Sequence, residues 1–223
     1  LARALQLDEA ERTHLFDLAR PAGGPRRNAD RGRATQVRPS VQRILDMLAP
    51  AYARTSRGDI VAVNTLCTAL YGQILRPEAL PVNVARFVFL DPRSQDFFLD
   101  WETVADDSAA ALRVEAGRTP SDRQLSDLVG ELATRSDAFA TRWGKHNVRL
   151  HRTATKRLHN PVVGELQLIA DALDLPGDDL TLIVYTAPAG SAAQEKLDFL
   201  TRWTGGAPST GTVESSTVQA PRI

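Results

Sequence analysis

The chain has 223 residues, enough for one domain-sized core, and its 43% hydrophobic and 24% charged residues are globular proportions that exclude wholesale disorder. Lys+Arg and Asp+Glu both total 27, so the chain as a whole lacks the basic excess of a nucleic-acid binder, and any DNA affinity must be local or supplied elsewhere. One cysteine, Cys67, excludes an internal disulfide framework and a thiolate zinc cluster. No uncharged apolar run reaches the roughly 18 residues of a membrane span and no signal-peptide pattern opens the chain, so a soluble cytoplasmic protein without a membrane partner is expected.

In chain order, Asp8 with Glu11 forms a capping box ahead of Leu15 and Leu18, which predicts a helix over Asp8–Arg20. So short a helix cannot bury its apolar face alone; it packs on the main domain or is the remnant of another. Residues 21–38 are rich in Gly, Pro and Arg, with Arg26, Arg27, Arg31, Arg33 and Arg38 against Asp30 alone, and read as a flexible basic linker. Val41, Ile44, Leu45 and Leu48 then predict a helix over Pro39–Ala49.

The period changes next. Ala51–Thr55 and Ile60–Asn64 flank the polar turn Ser56-Arg57-Gly58-Asp59, a β-hairpin pattern. From Thr65 to His146 the reading is mostly helical. Trp101, Val104, Ala105 and Leu112 mark one stripe, Ser121 with Gln124 opens a helix carrying Leu125, Leu128, Val129 and Leu132, and Ser136 caps another carrying Phe139 and Trp143. Beyond Arg149 the chain turns to strand: Thr153–Leu158, Val163–Ile169 and Leu180–Thr186, separated by His159-Asn160-Pro161 and Pro176-Gly177-Asp178-Asp179. Ser191 with Gln194 opens a last helix bearing Leu197, Leu200 and Trp203, and residues 204–223 have little to bury and are expected to be disordered.

A hairpin, several helices and a three-strand meander join naturally into one five-stranded antiparallel sheet covered on one face by a helical layer, an α+β fold. That element order is the order of PAS domains, whose sheet and helices enclose a small-molecule cavity; the analogy is one of fold and names no ligand.

Particular residues carry a further likeness. Phe89-Leu90-Asp91-Pro92, Asp100-Trp101-Glu102, Leu128-Val129-Gly130-Glu131-Leu132 leading to Ser136 and Phe139, then Trp143, His146 and Val148, the run His159-Asn160-Pro161-Val162-Val163-Gly164-Glu165-Leu166, and Val184-Tyr185-Thr186-Ala187 with Gly190-Ser191 resemble, in order and spacing, the ligand-binding domain of MmyB-like transcription regulators. The likeness runs from about Val37 to Trp203, and the domain is expected over residues 39–203. Val63-Asn64 departs from the family's usual Trp-Asn, and Asn147 stands where Asp is usual. The resemblance implies a PAS-like fold, a ligand of the fatty-acid type, and a preceding helix-turn-helix of the lambda-repressor type, as in mainly actinobacterial regulators. The opening Leu1-Ala2-Arg3-Ala4-Leu5, with Leu7 and Asp8 to Arg12, resembles the final helix of that module, so DNA binding is expected only through a helix-turn-helix whose recognition helix is not in this chain.

Catalytic patterns are weak. His146, His151 and His159 repeat no metal-ligand spacing, the helical carboxylate pairs Asp96/Asp100 and Glu102/Asp106 are of the kind solvated on surface helices, and Cys67 lacks a nucleophile signature. No enzyme activity, metal or cofactor is expected. Phe87, Phe89, Phe97, Phe98 and Trp101 crowd the segment where helices would face the sheet; core packing accounts for most, and a minority would line a cavity. From Ala138 to Gly164 there is no acidic residue, while Arg142, Lys145, Arg149, Arg152, Lys156 and Arg157 all fall inside; the simplest account is a solvated basic face, and the functional alternative is that it meets DNA phosphates, a ligand carboxylate, or the acidic stretch Asp91 to Asp107 of the same or another subunit. His146 and Arg149, where the last helix meets the sheet, are the candidates for a ligand carboxylate. The candidate ligand-binding set is therefore Phe87, Phe98, Trp101, Trp143, His146, Arg149, Leu166, Leu168 and Val184, serving a small apolar or fatty-acid-like effector. The rival expectation is a module that only dimerises or binds protein, with a filled core.

Overall fold

The computed structural model describes residues 37–145, 153–175 and 177–205. The helix expected over Asp8–Arg20, the linker to residue 36 and the tail from residue 206 lie outside the described residues, as do His146, Arg149 and His151.

Helix α1 (Pro39–Asp46) begins on a proline, whose fixed φ suits a first turn, and buries Val41 and Leu45 while Ile44, and Met47 just past its end, stay exposed. It ends three residues before the expected Ala49, because Pro50 disfavours helical backbone at the residue before it and the buried Asn64 amide takes the carbonyls of Leu45, Leu48 and Ala49. Strands β1 (Ala51–Thr55) and β2 (Asp59–Val63) form the expected hairpin, turning at Gly58, whose φ of 84° is the left-handed conformation glycine tolerates. Their register slips between Ala53 and Arg54. Tyr52 pairs with Val63 and Arg54 with Ile60, so Val61 is an extra residue and Ile60 comes round to the same face as Arg54.

Asn64 caps α2 (Thr65–Tyr71). Two short 3-10 turns lead to β3 (Val82–Asn83), whose Asn83 side chain caps α3 (Val84–Leu90). Helices α4 (Arg93–Phe97), α5 (Trp101–Arg118), α6 (Arg123–Arg135) and α7 (Asp137–Gly144) complete the helical layer. Ser136 caps α7 as its sequence position suggests, accepting from the Phe139 N–H, but α6 is capped by Asp122 instead of Ser121. The Asp122 carboxylate takes the N–H groups of Gln124 and Leu125 on one oxygen and Arg57 of the hairpin turn on the other, a tertiary partner a serine hydroxyl cannot match. The meander follows as β4 (Thr153–Asn160), β5 (Gly164–Leu175) and β6 (Leu180–Thr186), and α8 (Ala192–Gly205) ends the described chain with Ser191 accepting from the Gln194 N–H.

All the strands belong to one antiparallel sheet in the order β3-β2-β1-β6-β5-β4, so the early pair lies beside the late three. The sheet has six strands where five were expected. The sixth, β3, pairs only Asp59 with Asn83 and Ile60 with Val82, and two residues carry no readable alternation. β5 also runs six residues past the expected Ile169, paired with β6 from Ile169↔Thr186 to Leu175↔Leu180.

The inward face of the sheet, carrying Tyr52, Leu158, Leu166, Leu168, Ile183 and Tyr185, packs against α2 to α5 and α8 in the largest core cluster. The opposite face is not bare: Val41 and Leu45 of α1 sit on Ala51, Ala53, Ala62, Leu182 and Val184. The helices α3 and α5 to α7 hold a third cluster of their own around Leu112, Leu125, Leu132 and Phe139. Fully buried Asn160 ties sheet to helix, its amide donating to the Ala69 and Leu70 carbonyls at the end of α2 while its oxygen accepts from the N–H groups of Val162 and Val163 in the β4–β5 turn.

Candidate functional site

Small side chains set the site. Strand alternation turns Ala154 of β4 and Ala170 and Ala172 of β5 inward, and α5 presents Ser108 and Ala111 to the same space. Small facing small leaves a cavity of about 180 Å³ between sheet and helices. Phe87, Phe98, Val104 and Leu112 wall it on the helical side, Ile60 and Ile183 on the sheet side, and Ser56, Arg57 and Gly58 of the hairpin turn also line it. The volume is near the ~150 Å³ of an apolar void that takes a benzene-sized guest.

Polar groups enter this apolar space at defined points. Tyr71 and Tyr185 join hydroxyl to hydroxyl at 2.6 Å, and the Tyr52 ring stands edge-on to Tyr71 with centroids 6.1 Å apart. Burial pushes both hydroxyls of that bonded pair well above the ordinary tyrosine range and raises Tyr52 as well, partly offset at Tyr52 by the nearby Arg54 charge. Lys156 of β4 reaches Asp107 of α5 at 2.8 Å, an ion pair that clasps sheet to helix. Arg57 is held by Asp122 at 3.1 Å and Asp59 at 3.5 Å. Arg54, the inward residue after Tyr52 on β1, has its Nε buried without a hydrogen-bond partner among the described residues.

The family model for the MmyB-like transcription regulator ligand binding domain matches residues 37–200. The chain belongs to that family. No curated protein matches it. The MmyB-like family is one of regulator ligand-binding domains and not an enzyme class, so the cavity is the natural place to look for its ligand. Among the described residues of this MmyB-like domain no group of three His, Cys, Asp or Glu side chains is placed to hold a metal, and no helix is long and apolar enough to cross a membrane. Cys67 is buried in α2, and loss of solvation pushes its thiol pKa up, so it stays protonated.

Of the residues singled out from sequence, Phe87 and Phe98 line the cavity of the MmyB-like domain, with ring centroids 5.9 Å apart. Leu166 and Leu168 lie on the same inward face, packed into the core beside it. Trp101 stands behind the wall, its indole N–H donating to the Val88 carbonyl at 3.0 Å and the Ser94 hydroxyl at 3.1 Å. Trp143 stacks on Phe139 in the helical cluster with the Arg113 guanidinium 4.1 Å from its ring, and Val184 faces α1 on the far side of the sheet. His146 and Arg149 fall outside the described residues. The sequence pattern did not single out Tyr52 or Arg54, and it placed Lys156 in a solvated basic face, whereas the side chain is largely buried against Asp107. Alternation alone puts Tyr52 and Arg54 on one face of β1, and Lys156 on the face of Leu158, so a cation on a core-facing position was the available signal.

Proposed function

We propose that this PAS-like domain senses a small amphipathic, fatty-acid-like effector, bound between sheet and helices, and that occupancy changes how a regulator carrying it engages DNA. The observation that carries the reading is the alanine-lined cavity, rimmed by tyrosine hydroxyls and cations, in a chain that belongs to a ligand-binding family. Burial of about six methylenes at ~0.8 kcal/mol each supplies roughly 5 kcal/mol gross, so the apolar body accounts for weak binding and polar contacts must supply the remainder. Strand β1 offers the route outward. Tyr52 and Arg54 face the cavity while Ala51 and Ala53, between and beside them, carry α1, which follows directly on the N-terminal segment. An occupant that fits only one placement of β1 biases α1, the differential binding a population shift requires.

The test is thermal unfolding of the full chain with straight-chain carboxylates of six to ten carbons. At one hundred times Kd the best of them stabilises by about 2.7 kcal/mol, raising Tm by roughly 5–10 °C for a domain of this size. Ala170→Leu, which fills the space from the sheet side, is expected to remove most of that rise while leaving the ligand-free protein folded. No rise with any chain length defeats the reading. The exposed Ile44 of α1, Met47 just after it and Leu173 of β5 favour a second reading, an interaction module, for which light scattering would show a dimer with no ligand-dependent change in Tm.

A further inference from the structure

Three cations line the cavity, and two of them are already engaged. Lys156 is held by Asp107 and Arg57 by Asp122 and Asp59. Arg54 has no carboxylate partner among the described residues, and its Nε is buried with nothing to donate to. Arg54 is half-buried on the inward face of a strand that has neighbours on both sides, and its buried Nε–H is a costly placement, because a buried donor forfeits water without regaining a bond. The fold keeps it there by register: the slip after Ala53 sets Arg54 opposite Ile60, and both point into the cavity.

We propose that Arg54 is the specificity-determining anchor for an anionic head group, its planar fork taking a carboxylate while the apolar tail lies along Ala170 and Ala172. The proposal rests on the cavity being the effector site and adds that the effector is an anion oriented with its charge toward β1. Lys156 and Arg57 position the walls and contribute field, but their bonds to Asp107, Asp122 and Asp59 would have to break before either could donate fully to a ligand. Guanidinium geometry matters as well as charge, since a carboxylate can be held by two parallel N–H bonds that an ammonium does not reproduce.

The experiment measures binding of octanoate and of octanol, equal in chain length and different in charge, to the full chain and to its Arg54→Met and Arg54→Lys variants by titration calorimetry. The full chain is expected to prefer octanoate by about ten- to a hundred-fold. Arg54→Met should lose that preference with octanol affinity unchanged, and Arg54→Lys should retain part of it. If the wild type binds both alike, or Arg54→Met keeps the preference, the anchor is overturned while the cavity stands as a binding site. If neither compound binds the wild type, the anchor and the effector site fall together. Should Arg54→Met not fold, the wild-type preference and Arg54→Lys still decide the matter.

Discussion

Asn64→Ala is expected to cost about 3–5 kcal/mol, a large fraction of the roughly 5–15 kcal/mol stability of an ordinary domain. Its side chain reaches five backbone groups, the two amide N–H donors being shared among three carbonyls. The oxygen accepts from the N–H groups of Ala51 at 3.1 Å and Cys67 at 2.9 Å; the amide donates to the carbonyls of Leu45 at 2.9 Å, Leu48 at 3.2 Å and Ala49 at 2.9 Å. Truncation strands groups at the end of α1, the start of β1 and the first turn of α2 at once, and Asn64 is itself buried, so little water can replace it. Asn64→Asp keeps both acceptor bonds but turns an anion toward three carbonyl oxygens, and should be no milder. Urea unfolding of both variants against wild type measures the effect; a loss below about 1 kcal/mol would show that the junction repacks around the gap.

The second large effect is alkaline. Tyr52, Tyr71 and Tyr185 have folded pKa values raised above the ordinary 10.0, and Cys67 above the ordinary 9.0, in each case chiefly by loss of solvation. A folded pKa above the unfolded one means the folded state holds its proton longer. The stabilisation is therefore complete below the unfolded pKa and drains away as pH rises beyond it, starting near 9.0 for the thiol and 10.0 for the phenols. Each group steepens the loss by at most about 1.4 kcal/mol per pH unit between its unfolded and folded pKa. Stability from urea unfolding should be flat to about pH 9 and fall increasingly steeply above pH 10 as the tyrosines join the thiol. Tyr71→Phe breaks the 2.6 Å bond to Tyr185, which lowers stability at neutral pH, but it removes one titrating group and should make the alkaline slope shallower by about 1.4 kcal/mol per unit. An unchanged slope in Tyr71→Phe would mean that its hydroxyl is solvated in the folded protein.

Much of the architecture is legible in the sequence because its signals are local. Alternation in Ala51–Thr55 and turn residues at Ser56–Asp59 specify a hairpin, and the same chemistry around Pro176–Asp179 joins β5 to β6. What escapes depends on tertiary partners. Two adjacent residues, Ser121 and Asp122, can each cap α6, and the choice is made by Arg57, 65 residues away in sequence. The apolar stripe of α1 says that Val41 and Leu45 are covered, not that they cover the back of the sheet. β3 is too short to show a period.

The candidate site is less legible for a different reason. Large aromatic residues attract a search for pocket walls, and two of them, Phe87 and Phe98, do line the cavity. Yet space opens where side chains are small, and Ala111, Ala154, Ala170 and Ala172 carry no chemical mark of function. Register across β4 and β5, with Ala154 opposite Ala170, and the helix carrying Ala111 packed over it bring them together. Arg54 is visible in retrospect as a charge in phase with Tyr52, a local rule broken in a way that a bound anion would repair.

Entry of a ligand between sheet and helices is the event on which sensing depends. Methyl NMR of the full chain titrated with octanoate tests that directly: the methyl groups of Ala111, Ala154, Ala170, Ala172, Ile60 and Ile183 should shift together and saturate with a single Kd, while Ile44, Val162 and Leu173 on the outside stay still. Shifts confined to those outer residues, or none at all at saturating octanoate, would contradict it.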